Sequence, residues 1–230
     1  MGLLWQFGYK KTNLGIVDIG WAYCFIIAGI VALGTGEGGF QAKALLALMI
    51  FPWSIRLAAH LWTRFKPEVE DPRYVALRKT WTEDKIIYMF LLQGALAALI
   101  SIPFYIIAND PKEPFLLIGF VVVTIGWVGE AIADRQLEKF KSNPSNKGKV
   151  MNQGLWGKSR HPNYFFEWVV WVGFTIAAIF SENGYLSLIS FSIISYLLIA
   201  LSGVYLTDKH MEETKGEAWE KYKAQVPAFF

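Results

Sequence analysis

Between Gly154 and Glu167 the chain reads GLWGKSRHPNYFFE, and these residues carry most of its capacity for chemistry. Lys158, Arg160, His161, Asn163 and Tyr164 crowd the start of an apolar segment, and Glu167 lies one helical turn inside it. A carboxylate in a membrane span costs on the order of 2.5 kcal/mol or more near the helix centre and usually marks function. The loop before it is basic and rich in donors, which suits a phosphate. The combination points to an anionic cofactor held at the mouth of a membrane site.

The elements that must position these residues follow from composition. Hydrophobic residues make up 54% of the 230, aromatics 16% and charged residues only 18%, against about 25% charged in an average soluble domain. Apolar stretches run over Ile16–Leu33, Ala44–Leu61, Ile86–Ala108, Phe115–Ala133, Phe165–Phe180 and Leu186–Leu206. Most approach the roughly 20 residues that cross a bilayer as a helix. Phe165–Phe180 is short, and spans only if Asn163 and Tyr164 belong to its first turn. All of the 22 basic residues except Lys43, Arg56 and Lys112 fall before the first stretch, after the sixth, or in alternate connections. By the positive-inside rule this predicts six transmembrane helices with both termini cytoplasmic. The fold class expected is an all-α polytopic membrane bundle, 1–230 forming one domain whose cofactor pocket opens to the cytoplasm.

Several readings fall away. Cys24 alone gives no disulfide framework, and no cleavable signal is expected ahead of the first span. Gly34, Gly36 and Gly39 match G-x-G-x-x-G but follow a membrane span rather than a strand, so they predict a turn between helices. The histidines His60, His161 and His210 lack metal-ligand spacing, so no metal is expected. No G-x-S-x-G marks a hydrolase. A net charge of +3 is accounted for by the loops and argues for no nucleic-acid partner. Trp5, Trp81, Trp156 and Trp219 read as interfacial anchors, and Trp168 and Trp171 as packing residues.

Placed on six spans, the ionisable residues converge on the cytoplasmic half. Asp18 starts the first span. Arg56, His60 and Arg64 share one face of the second at i, i+4, i+8, and Glu130 and Asp134 pair likewise at the end of the fourth. Asp208 and His210 end the sixth. Such groups face a polar cavity rather than lipid. Each also has a plainer role: Arg64, Lys158 and Arg160 as snorkelling cations, His60 as a hydrogen-bonded packing residue, Glu167 as a partner of Arg160 or Arg135.

The stretches Gly154–Trp168 (GLWGKSRHPNYFFEW), Ile132–Phe140 (IADRQLEKF), Trp53–Arg64 (WSIRLAAHLWTR) and Asp71–Tyr74 (DPRY) resemble the steroid 5-alpha-reductase-like family, in particular its bacterial-type branch. The wider superfamily takes in sterol C14 reductases and isoprenylcysteine carboxyl methyltransferases, which share the RHP-x-Y core. The resemblance implies a multi-span reductase that holds NADPH. Asn163 and Glu167 match residues around the nicotinamide end, and Asp134 an aspartate that contacts the nucleotide. Arg64 and Arg73 fall where arginines approach the cofactor phosphates. His161 and Tyr164 belong to the same core, and Lys158 and Arg160 would neutralise phosphate. Glu130 stands where the family has an asparagine. The steroid enzymes' Glu and Tyr pair that polarises the substrate carbonyl has no clear match.

Hydride transfer to a conjugated double bond leaves charge on a carbonyl oxygen, which asks for a nearby donor. His60 is the expected donor, oriented by Asp18, with Tyr74 as the alternate. The expected substrate is a hydrophobic small molecule drawn from the bilayer lipids, in a bacterial inner membrane or an endoplasmic reticulum. The alternatives are an S-adenosylmethionine-dependent methyltransferase, which Glu212–Glu213 and the Tyr222–Pro227 tail also resemble, and a non-catalytic lipid-binding relative.

Overall fold

The structure is a computed structural model that describes all residues except 11, 12 and 71; the side chains of Leu3, Phe7, Tyr9, Lys10, Pro72, Arg73 and Ala76 are also outside the described set. The expected phosphate contact of Arg73 thus falls outside the described residues. The described residues fold mainly into helices: α1 (Gly2–Lys10), α2 (Ile16–Thr35), α3 (Phe40–Arg64), α4 (Pro72–Thr80), α5 (Glu83–Ile100), α6 (Ile102–Asn109), α7 (Glu113–Ser142), α8 (Pro162–Ala178), α9 (Ser187–Tyr196), α10 (Val204–Lys215) and α11 (Glu217–Gln225). No strand occurs among the described residues.

Five stretches are long and apolar enough to cross a membrane: α2, α3, Glu83–Asn109, α7 and Gly184–Lys215. The chain is a multi-pass helical membrane protein. Ile27, Ile30, Ile55, Leu117, Val121 and Ile125 stand exposed along these helices, as lipid-facing side chains do. The remaining expected segment, the fifth, is helix α8, whose 17 residues reach about 26 Å at 1.5 Å per residue. Pro162 heads α8, where its fixed φ suits the first helical position. Asn163 and Tyr164 therefore do belong to its first turn.

Two of the long stretches are interrupted, each for a local reason. Between α5 and α6 the chain turns at Ser101, whose backbone N–H reaches back to the carbonyls of Ala97 and Ala98, and Pro103 follows at the start of α6. The last span opens into a π-turn over Leu197–Leu201 and breaks at Gly203. A Cβ there would lie 2.1 Å from the carbonyl oxygen of Leu198, so only glycine fits.

Contacts among the described residues divide into two units: Met1–Pro111 with Ser181–Asn183, and Lys112–Phe180 with Gly184–Phe230. In the first, α2 packs on α3 around Phe25 and Trp53, whose ring centroids are 5.2 Å apart. Asn13, 3% exposed, ties the start of α2 to the chain after α3 by donating to the carbonyls of Lys66 and Pro67. Glu70 accepts the Leu14 N–H at 2.6 Å and the Arg78 Nε–H at 3.0 Å. Of the turn expected at Gly34, Gly36 and Gly39, Gly34 lies inside α2 and residues 36–39 join α2 to α3; Gly36 and Gly38 lie against the Ala108 carbonyl where a Cβ would not fit.

In the second unit α7 and α8 pack almost backbone to backbone. The missing side chain of Gly119 is replaced by the Gly173 carbonyl and Ala177, that of Gly126 by Val170, and that of Gly129 by the Phe166 ring. Small residues let membrane helices approach closely enough for dispersion to hold them.

Candidate functional site

The polar loop ahead of α8 is fixed at its start by α7. Gly154 takes φ +60°, a left-handed conformation that favours glycine. The Gln136 amide oxygen lies 2.6 Å from where its Cβ would be and accepts the Leu155 N–H at 3.0 Å. A 3₁₀ turn over Gly154–Gly157 then turns Trp156 inward, and its indole N–H donates to the Ala133 carbonyl at 3.0 Å. Trp156 and Trp219 are 8% and 3% exposed. Both are therefore packing residues rather than interfacial anchors, because the loop and α11 close over them.

At the end of the loop stands Asp208, on the first turns of α10. Its Oδ2 accepts from Arg160 Nη2 at 3.0 Å and its Oδ1 bonds His161 Nε2 at 2.6 Å. The Arg160 and His161 side chains are 10% and 2% exposed. Arg160 Nη1 also donates to the Val226 carbonyl at 2.8 Å, while its Nε is buried with no hydrogen-bond partner among the described residues. Tyr222 donates its hydroxyl to the Trp156 carbonyl at 2.5 Å. Burial pushes that phenol up to about 12, so it stays a donor at any working pH.

Burial also lowers the His161 pKa from its ordinary 6.5, against the raising influence of Asp208, with Arg160 adding to the lowering. A neutral His161 bonds Asp208 only by donating from Nε2, which leaves Nδ1 as an acceptor. As pH falls through about 6.5, the unfolded chain takes up a proton that folded His161 resists, so stability drops on the acid side. We expect a lower melting temperature at pH 5.5 than at pH 7.5, with His161→Gln removing much of that difference. An undiminished difference in the variant contradicts the assignment.

The remaining candidates stand as follows. Asn163, Tyr164 and Glu167 are half-buried on the first turns of α8. Glu167 Oε1 accepts the Trp171 indole N–H at 3.0 Å, so Trp171 orients this carboxylate as well as packing. The Tyr164 hydroxyl meets Thr207 Oγ1 at 3.1 Å, and the His161 ring stacks on Tyr164 at 5.6 Å. Lys158 is exposed and Asp134 half-buried on α7, one turn beyond Glu130, which is 6% exposed. In the other unit Arg64 is exposed at the end of α3 and His60 half-buried one turn earlier. Buried Tyr74 donates its hydroxyl to Asp18 Oδ1 at 2.7 Å.

Sequence reasoning left Asp208 as a span terminus, yet it gathers Arg160 and His161. The available signal was electrostatic: an arginine and a histidine side by side at a membrane mouth call for a shared counter-charge.

A probable O-methyltransferase of Ustilaginoidea virens is 43% identical over 52 residues, 23% of this chain and 18% of that protein. A Delta(14)-sterol reductase of Schizosaccharomyces pombe is 28% identical over 138 residues, 50% of this chain and 30% of its own length. That of Saccharomyces cerevisiae is 33% identical over 96 residues, covering 40% and 20%. Each match thus spans less than a third of the relative. No solved structure matches the chain. The family model described as "Protein of unknown function (DUF1295)" matches residues 4–226, and the chain belongs to that family.

Proposed function

We propose that the protein is a membrane reductase that uses NADPH to saturate a carbon–carbon double bond conjugated to a carbonyl, in a steroid-, isoprenoid- or lipid-like substrate taken from the bilayer. The observation that carries this reading is the start of α8. There Asn163 and Glu167 share one helix face behind a cationic loop whose backbone is held in place on both sides. Similarity to two Delta(14)-sterol reductases supports the same reaction class.

The donor set fits the cofactor. A carboxamide needs both an acceptor and a donor, which the Asn163 amide and the Glu167 carboxylate provide together. Phosphates need cations: Lys158 is exposed to meet them, and Arg160 retains an Nε with no hydrogen-bond partner among the described residues. Arg160 and His161 act mainly as positioning residues, because Asp208 and the tail take most of their donors. Asp134, half-buried on α7, adds an acceptor suited to ribose hydroxyls. Bound NADPH supplies the hydride. The reduction also needs a proton from a donor of the chain, and the donors proposed are His60 and Tyr74 of the first unit, the latter bonded to Asp18 at 2.7 Å. The distribution of Lys and Arg favours a cytoplasm-facing site, in a bacterial inner membrane or an endoplasmic reticulum.

The test is NADPH binding by Glu167→Gln and Asn163→Ala. Both are expected to bind at least tenfold more weakly while keeping the melting temperature of the unliganded protein. Unchanged affinity in both contradicts the assignment. The O-methyltransferase similarity favours a second reading, with S-adenosylmethionine at the same mouth and a methyl group as the transferred unit.

A further inference from the structure

Residues 158–161 lie between the 3₁₀ turn and α8, outside any regular element. Their backbone donors cannot be satisfied by a helix and must find partners elsewhere. The Lys158 and Ser159 N–H groups turn back to Leu155 O at 3.0 Å, and those of Arg160 and His161 reach carbonyls of the last residues. The Arg160 N–H donates to Pro227 O at 2.9 Å and the His161 N–H to Ala228 O at 3.2 Å. Ser159 Oγ donates to Ala228 O at 2.8 Å, and the Arg160 guanidinium to Val226 O at 2.8 Å. The tail leaves α11 extended at Val226, φ −125° and ψ 122°. Proline at 227 offers an acceptor and no donor, which suits a one-sided backbone pairing. Beyond it the Phe229 and Phe230 rings lie 5.7 and 4.9 Å from Phe165, and Phe230 lies 5.7 Å from Phe166. The tail thus grips the loop by its backbone and the first turns of α8 by their aromatic side chains.

We propose that Val226–Phe230 is a positioning strap for the nucleotide site, its carbonyls fixing Ser159–His161 and its phenylalanines setting the start of α8. The proposal rests on the reading of that loop as a nucleotide site. It goes beyond it by assigning the tail a role in affinity rather than only in folding. The logic is one of attachment. The loop's start is pinned to α7 by Gln136 and Trp156, and α7 packs on α8 without the tail. Removing the strap therefore leaves the helices in place and frees only the segment that aims Asn163, Tyr164 and Glu167. Preorganisation of this kind is expressed in ligand affinity.

The experiment compares the full chain with a chain ending at Gln225, and with Phe230→Ala and Phe230→Tyr, in detergent. Two quantities are read: NADPH affinity, and hydrogen exchange in a peptide spanning residues 159–165. The shortened chain is expected to bind NADPH at least tenfold more weakly and to exchange faster in that peptide, with exchange in the apolar part of α7 unchanged. Phe230→Ala is expected to move both readings the same way, and Phe230→Tyr to restore them. Exchange that stays slow without the tail overturns the strap. Faster exchange with undiminished NADPH affinity overturns its role in positioning. Should the full chain bind no NADPH, the nucleotide reading fails and with it the positioning role; exchange alone then decides whether the tail holds the loop. If the shortened chain does not fold, the two Phe230 variants decide on the same readings.

Discussion

Replacing Asp208 by alanine is expected to lower the melting temperature of the detergent-solubilised protein by roughly 10 °C or more. The carboxylate serves two buried side chains at once, Arg160 at 3.0 Å and His161 at 2.6 Å. Removing it leaves a guanidinium that is only 10% exposed without its counter-ion. Taking one partner from a buried pair costs about 3–5 kcal/mol, most of it the unpaired charge left behind. In a chain of this size each kcal/mol moves the melting temperature by about 2–4 °C. Asp208→Asn keeps the shape and one acceptor, and is expected to fall between the alanine variant and the native protein. Glu217→Ala is the control: it removes an ion pair with Lys221 whose side chains are 83% and 72% exposed, worth well under about 1 kcal/mol. A differential scan of the three variants checks this, and an Asp208→Ala shift no larger than the control contradicts it.

The second large effect lies in the α7–α8 seam. A methyl group on Gly126 would sit 2.7 Å from Val170 N and 3.0 Å from the Phe166 carbonyl. Both are backbone atoms, so no rotamer relieves the clash and the helices must part. Overpacking a tight contact costs about 1–3 kcal/mol for added methylenes. Gly126→Val should exceed that, since in a membrane close packing itself drives association. Expected outcomes are a sharp loss of monodisperse protein on size-exclusion chromatography for Gly126→Val and an intermediate loss for Gly126→Ala. Gly34→Ala, with nothing within 4 Å of its added methyl, should be neutral. Normal yield and stability of Gly126→Val would contradict the seam.

The two effects meet at α8, and they show what the chain discloses in its own letters. Composition and hydropathy made the helices visible, because lipid requires long apolar runs with internally satisfied backbones. The short fifth stretch was legible too, on the condition that Asn163 and Tyr164 belong to its first turn, and the helix does begin at Pro162. Asp208 was harder, being 48 residues from Arg160; its role arises only when α10 folds against the loop. The hold of the tail had no signature at all, since the groups that grip Ser159–His161 are mostly backbone carbonyls, which every residue possesses. Trp156 and Trp219 were read as interfacial because tryptophan is common there, and tertiary packing overrode that preference. The acid–phenol pair of Asp18 and Tyr74 was missed for a similar reason. Its members are 56 residues apart, and the sequence reading paired the first with His60.

The central claim is that the mouth of α8 binds NADPH, and its most direct test is the melting temperature of the purified full chain with NADPH, NADH or S-adenosylmethionine. A ligand that binds only the folded state adds about 2.7 kcal/mol at 100 times its dissociation constant, enough for a clear shift. The account predicts a rise with NADPH and none with S-adenosylmethionine. A rise with S-adenosylmethionine alone, or with no nucleotide at all, would contradict it.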